Sequence, residues 1–159
     1  MIIGIVAVDR NGAIGKDGKL PWHYAADMRF FKKTTIGNAC VMGYRTWLTL
    51  EAPLKDRLNI VLSRRSLIEA HDSLVVIRDF NSVLSLARYL RCDLFVMGGE
   101  QIYQAFLSHI DRWVVTEVPL AVEGADVFVP PNYLQGFKQV DSQKLEKDLV
   151  VKIYERSGS

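Results

Sequence analysis

Short apolar runs rich in β-branched residues alternate along this chain with stretches of helical periodicity. The runs at residues 2–8, 39–42, 59–63, 74–77, 94–97, 112–118 and 149–155 predict strands. The periodic stretches at 25–34, 45–49, 82–90 and 101–108 predict helices. Such alternation implies an α/β sheet with parallel strand pairs and helices on both faces. "CVMG", "NIVLS" and "LFVMGG" are almost unbroken apolar runs, the pattern of central strands buried on both sides. The late runs have no helical stretch between them, which places an antiparallel addition at one edge. The segment "VDSQKLEKDLV" before the last run is short, and no long hairpin is expected there.

Composition narrows the class. With 159 residues, 49% apolar and 24% charged, the chain fits one domain, 1–159, built on a single substantial core. A net charge of +2 is too small to make nucleic acid a default partner. The apolar opening "MIIGIVAV" has no basic leader and runs straight into Asp9 and Arg10, as a buried first strand does and a signal peptide does not. No run reaches the roughly 20 apolar residues of a membrane span. Cys40 and Cys92 form no CxxC pair and lie in apolar surroundings, the pattern of free thiols in a reducing cytosol. His23, His71 and His109 lack metal-ligand spacing. The expectation is a soluble cytoplasmic protein without a membrane, nucleic-acid or metal partner.

Candidate chemistry begins in "KLPWHYAADMRFF". On a helical wheel Asp27 shares an arc with Phe30, Phe31 and Thr34, flanked by Met28, while Arg29, Lys32 and Lys33 fall opposite. Asp27 is then either a first-turn acid, favoured by the helix dipole by about 0.3–1 kcal/mol, or a partly buried carboxylate. Burial of an unpaired carboxylate costs more than the dipole returns. The second reading therefore requires a hydrogen-bonding partner, which in a cleft can be a ligand. Just upstream, residues 11–20, "NGAIGKDGKL", carry Gly12, Gly15 and Gly18. They read either as a flexible connection or as a lid that orders over a ligand.

Three strand ends add phosphate-binding residue types. Gly98 and Gly99 follow one strand, Gly43 with Tyr44, Arg45 and Thr46 follows a second, and Ser63, Arg64 and Arg65 follow a third. Each alone is an ordinary solvated turn. Together they sit where open α/β sheets bind ligands, beyond the carboxyl ends of the strands. Glycines let backbone N–H groups approach a pyrophosphate, and arginines accommodate a ribose 2′-phosphate. "LSRR" thus points to NADP(H).

In order, Leu20-Pro21-Trp22, Asp27, Phe31, "VMGYRTW", "LSRR" and "VMGGEQIY" resemble the bacterial dihydrofolate reductases over essentially the full length. The resemblance implies an eight-stranded, mostly parallel sheet with an antiparallel C-terminal edge strand. It also implies NADPH-dependent reduction of 7,8-dihydrofolate to tetrahydrofolate by a monomer that antifolate-type molecules would bind. By the same resemblance Asp27 grips pterin N3 and the 2-amino group, with Thr116 hydrogen-bonded to it. Asp27, Trp22, Leu20 and Thr116 then form the catalytic set. Ile5, Ala7, Met28, Phe31, Leu50, Leu54, Met97 and Tyr103 would line the substrate, and Arg57 would pair with the α-carboxylate of its glutamate tail. The segment 11–20 would cover the nicotinamide, with Ala7, Ile14, Gly15 and Leu20 on the cofactor side. Gly43, Tyr44, Arg45, Thr46, Leu62, Ser63, Arg64 and Arg65 would contact NADPH from one side. Gly98, Gly99, Glu100, Gln101, Ile102 and Tyr103 would contact it from the other.

The chain also departs from that pattern. Tyr44 stands where such enzymes often carry a basic residue, and Gln101 where some carry arginine, which shifts 2′-phosphate recognition toward Arg64 and Arg65. Leu48 and Glu51 differ near the end of the second helix. Ala125 in "EGADVF" alters the spacing before Asp126, and leaves open whether Asp126 reaches the lid. The implied reaction adds a hydride at pterin C6 and a proton at N5. An acid on an apolar face has a raised pKa. Bound to the pyrimidine edge it is remote from N5, so water is expected to carry the proton. Two other readings share these motifs: a riboflavin-pathway reductase acting on a ribosylaminopyrimidine, and a catalytically silent nucleotide-binding module. The second has no need of Asp27.

Overall fold

In the computed structural model, which describes residues 1–65 and 67–158, the chain opens with β1 (Ile2–Val8), β2 (Ala13–Gly15) and helix α1 (Ala25–Thr35). It continues through β3 (Ala39–Gly43), α2 (Tyr44–Thr49), β4 (Leu58–Leu62), β5 (Leu74–Ile77), α3 (Phe80–Tyr89), β6 (Leu94–Val96) and α4 (Glu100–Phe106). It ends with β7 (Arg112–Glu117), β8 (Val127–Phe128), β9 (Phe137–Lys144) and β10 (Val150–Arg156). Eight strands form one sheet in the order β5-β4-β3-β6-β1-β7-β10-β9, and β2 pairs with β8 apart from it. Neighbours from β5 to β7 run parallel, and β10 runs antiparallel to both β7 and β9. No helix among the described residues is long and apolar enough to cross a membrane.

The unbroken apolar runs are explained by two packed faces. Ile3 and Ile5 join Cys40, Met42, Val61, Phe95 and Val114 on one face, where Phe30 and Phe31 of α1 cover them. Val6, Val8, Val41, Ile60, Val96 and Val115 project to the other, against Val83 of α3 and Ile102, Tyr103 and Phe106 of α4. Fully burying each such side chain is worth about 1.5–3 kcal/mol. Central strands thus carry apolar residues at every position rather than every second one. Gly4 is the exception in β1. A Cβ there would lie 2.4 Å from Cε3 of the fully buried Trp113, its partner across β7.

The predicted strands and helices are present with ends moved by no more than two residues, and two features differ in kind. The expectation of no long hairpin before the last strand is overturned. β9 pairs with β10 from Lys144 opposite Val150 to Phe137 opposite Arg156. β9 reads "FKQVDSQK" and is exposed along all but its first residue, so no alternation marks it. Backbone bonding to β10, not burial, holds it as a charged sheet edge. The antiparallel C-terminal addition is therefore two strands. The second difference lies in 11–20, which is partly strand: Ala13 pairs with Phe128 and Gly15 with Val127. Among the moved ends, α3 starts at Phe80, two residues early, because Asp79 accepts a bond from the Ser82 N–H at 2.9 Å and caps the helix.

Candidate active site

α1 carries an acid at one end and seats a cation at the other. Asp27, in its first turn, is half-buried. Thr116 of β7 sits beside Ala7 of β1 in register. Burial raises the Asp27 pKa above the usual carboxylate value, opposed by a side-chain hydrogen bond from Thr116. Asp27 thus stands in the first turn and is also partly desolvated, with burial the largest influence on its carboxyl. Trp22, buried against Val118 and Leu149, has an indole N–H with no protein partner among the described residues. Buried donors normally have one, so this N–H is available near the segment that enters α1. Trp113 shares the property, but packs between Tyr103 and Tyr133 on the other face of the sheet.

Thr35 follows Asp27 by eight residues, about 12 Å of helical rise. Its hydroxyl donates to the Phe31 carbonyl at 2.8 Å and accepts from Arg57 Nη1 at 3.1 Å. Arg57 Nε donates to the Lys55 carbonyl at 2.9 Å, and the guanidinium lies over the Phe31 ring, 5.8 Å from its centre. Arg57 is only 8% exposed, yet among the described residues no carboxylate lies within ion-pair range. A buried cation held by neutral groups alone is short of an anion. Phe31, Leu50, Leu54 and Met97 are half-buried beside the same core cluster and supply an apolar wall. Met28, on the flank of the arc, is 55% exposed.

Two residues that sequence reasoning missed hold this end. Asn59 is fully buried at the head of β4. Its Oδ1 accepts from Leu54 N at 2.8 Å, and its Nδ2 donates to the carbonyls of Leu54 and Arg57 at 3.0 and 3.1 Å. It shapes the loop that delivers Leu54 and Arg57. A polar residue heading the apolar run "NIVL" was its only sequence signal. The other is Thr35, which lies one residue beyond the predicted helix end.

Beyond the carboxyl ends of β3, β4 and β6 the three predicted turns do converge. Gly43 N–H donates to the Gly98 carbonyl at 2.9 Å, joining two of them. The Gly98–Gly99 peptide is cis, and Gly98 has φ +114°, a region that favours glycine. A Cβ on Gly98 would press on the Tyr103 ring at 3.3 Å, and one on Gly43 on Ile102 at 3.1 Å. Tyr103 Oη donates to the Ile5 carbonyl at 2.7 Å, which locks the ring beneath the turn. A Cβ on Gly99 would meet only Thr46 Oγ1, at an ordinary contact distance of 3.8 Å. Arg45, Arg64 and Arg65 are exposed and have no ion-pair partner among the described residues. Glycine turns beside three arginines with no ion-pair partner among the described residues fit a phosphorylated dinucleotide.

The segment 11–20 is tied down rather than loose. Lys16 and Lys19 exchange backbone bonds of 2.9 and 3.0 Å around Asp17 and Gly18, whose φ values are +52° and +77°. That is the two-residue hairpin turn that an Asp-Gly pair favours. Asp126 settles the open point about its spacing. Its N–H donates to the Gly15 carbonyl at 3.1 Å, and its Oδ2 accepts from Asp17 N–H at 3.2 Å. Lys16 Nζ donates to the Glu123 carbonyl at 2.8 Å. Asp9, buried after β1, accepts three backbone bonds of 2.8 Å, from Asn11, Ala13 and Val122. Burial raises its pKa, but the bonds from Val122, Ala13 and Asn11 outweigh this and hold it below the usual carboxylate value. Leu20, at the end of the segment, is 57% exposed.

Fold and site together define an α/β protein with glycine turns and free cations beyond the carboxyl ends of an open parallel sheet, and an acid and a cation along one flanking helix. A family model for dihydrofolate reductase matches residues 1–155. The chain is 33% identical over 144 residues to the dihydrofolate reductase of Staphylococcus haemolyticus, covering 91% of this chain and 85% of that protein. It is 39% identical over 137 residues to that of Mycobacterium leprae, covering 81% of each. A solved structure of dihydrofolate reductase from Enterococcus faecalis, complexed with NADP(H) and RAB-propyl, matches with a TM-score of 0.89 at 28% identity. That match covers 99% of this chain and 97% of the other. The chain belongs to the dihydrofolate reductase family.

Proposed function

We propose that this chain, as one domain over 1–159, reduces 7,8-dihydrofolate to 5,6,7,8-tetrahydrofolate with NADPH. The observation that carries the reading is the flank of α1. A half-buried carboxyl stands in the first turn of α1, and a buried cation with no carboxylate in ion-pair range among the described residues is bonded to Thr35, about 12 Å of helical rise further along, with apolar side chains between Asp27 and Thr35. Such a flank suits a ligand with a donor-bearing heteroaromatic ring at one end and a carboxylate at the other. Asp27 binds pterin N3 and the 2-amino group, and Thr116 orients the carboxylate. Ile5, Ala7, Phe31, Leu50, Leu54 and Met97 enclose the rings, and Arg57 takes the α-carboxylate of the tail in a bidentate pair.

Gly43, Thr46, Gly98 and Gly99 would hold the pyrophosphate of NADPH, with Arg45, Arg64 and Arg65 toward its 2′-phosphate. When bound, NADPH supplies the hydride. The chain's own residues align the ring and exclude water. Residues 11–20 close one side through Ile14, Gly15 and Leu20. Asp27, on the pyrimidine edge, favours protonation of the pterin electrostatically, while the proton reaches N5 through water. Antifolate-type molecules would occupy the same flank. Cys40 and Cys92 are unpaired, which suits a cytoplasmic setting.

The test is NADPH absorbance on adding dihydrofolate to the purified chain, with Asp27→Asn as control. The reading expects oxidation that needs both substrates and is lost in the variant at neutral pH. NADPH binding without oxidation in the presence of dihydrofolate would refute it.

A further inference from the structure

We propose that Tyr44 is a positioning residue for the ribose 2′-phosphate of NADPH, acting by seating the guanidinium of Arg65 on its ring. This rests on the NADPH-dependent reading above and adds to it a residue that carries no charge. β3 and β4 are parallel neighbours, and Gly43 lies opposite Leu62 in register. The two chains therefore turn outward at the same level, with Tyr44 on one turn and Arg65 on the other. Arg65 Cζ lies over the Tyr44 ring, 4.6 Å from its centre, within cation–π range. The backbone N–H of Arg65 donates to Ser63 Oγ at 3.1 Å, which anchors the turn itself.

Stacking engages the face of a guanidinium and leaves the N–H donors around its edge free. No carboxylate among the described residues lies within ion-pair range of Arg65 to take those donors. An exposed arginine is otherwise rotamer-rich and loses that freedom on binding an anion. A ring beneath it removes part of the loss in advance. One turn along α2, Trp47 meets His71 edge-on at 5.9 Å between ring centres. Residues 44 and 47 share a helix face. The connection from β4 to β5 is thus seated on α2 at two aromatic points, of which the first presents a cation.

Calorimetric titration of the full chain with adenosine 2′,5′-bisphosphate and with adenosine 5′-monophosphate tests this. The unaltered chain should prefer the bisphosphate, and Arg65→Gln should weaken that ligand about tenfold. Tyr44→Leu should weaken it about two- to fivefold, and Tyr44→Phe, which keeps the ring, should not. None should alter binding of the monophosphate, and the double variant should be no weaker than Arg65→Gln alone. In turnover, Tyr44→Leu should raise KM for NADPH and leave kcat unchanged. Tyr44→Leu binding the bisphosphate like the unaltered chain, or losing both ligands equally, overturns the proposal; so does Tyr44→Phe behaving like Tyr44→Leu. Equal binding of both ligands by the unaltered chain would instead overturn the 2′-phosphate reading beneath it.

Discussion

Replacing Arg57 with leucine separates binding from stability in a way the structure specifies. In the free protein the guanidinium is 8% exposed, bonded to the Lys55 carbonyl and the Thr35 hydroxyl, and faces no acid among the described residues. Desolvating a cation costs several kcal/mol, while two hydrogen bonds from a charged donor return about 1.5–3 kcal/mol each. These nearly cancel. Leucine removes both the cost and the return, and leaves the Lys55 carbonyl short of one donor. The free energy of unfolding should therefore move by no more than about 2 kcal/mol in either direction. Binding has no such cancellation. A tail carboxylate left unpaired against apolar side chains costs about 2–5 kcal/mol, roughly thirtyfold to over a thousandfold in KM for dihydrofolate. The tail is remote from the reacting ring, so kcat should hold. Steady-state kinetics on dihydrofolate and on a dihydropterin without the glutamate tail provide the assay. An equal rise in KM for both substrates would take Arg57 out of the site, and an unchanged KM would do the same.

Asp27→Asn should lower hydride transfer sharply at neutral pH and recover partly in acid, where the substrate is already protonated; near-normal single-turnover rates at pH 7 would contradict the assignment. Because burial raises the folded-state pKa of Asp27, its ionised form weakens the fold above the ordinary carboxylate range, and that cost fades as pH falls through it. The variant should therefore melt no lower than the parent at neutral pH, with the difference closing in acid. Asp9 has the opposite sign: its lowered pKa contributes stability above the unfolded value, lost as pH falls through the folded one. Asp9→Asn should cost about 1–3 kcal/mol at pH 7 and little in strong acid, and pH-independent melting differences would disprove the role of the charge. Gly4→Ala forces a methyl against the Trp113 ring and should cost about 1–3 kcal/mol, read as a lower denaturant midpoint at constant slope. An unshifted midpoint would mean that the ring yields.

What could be read from the sequence follows how each residue is buried. Strands covered on both faces, such as β3 with Ala39, Cys40, Val41 and Met42 all buried, leave an unmistakable apolar run. β9 leaves none, because its partner is the backbone of β10 and its side chains face water. β2 and β8 are three and two residues long, too short for any period to show. The Asp-Gly pair at 17–18 did carry a turn signal, but three glycines in one segment suggested looseness. The chain instead closes a hairpin and binds it to Asp126 and Glu123, far along the sequence.

The same distinction divides the site. Asp27 was legible because a charge on an apolar face is a conflict that only a partner resolves. Arg57 was found by motif, since nothing in "LKDRLN" shows that its cation would be buried without an acid. Its support is invisible for a physical reason. Asn59 and Thr35 are neutral, and each satisfies its polar atoms on nearby backbone or on Arg57. They therefore create no conflict that a sequence can display. Yet they decide what Arg57 can do. The Thr35 hydroxyl and the Lys55 carbonyl hold the guanidinium in place without neutralising it, whereas a carboxylate at position 35 would pair with it and leave no charge for a ligand. On the proposed function, Thr35 thus leaves the charge of Arg57 for an anion while Asn59 shapes the loop that delivers it, and only the fold reveals them.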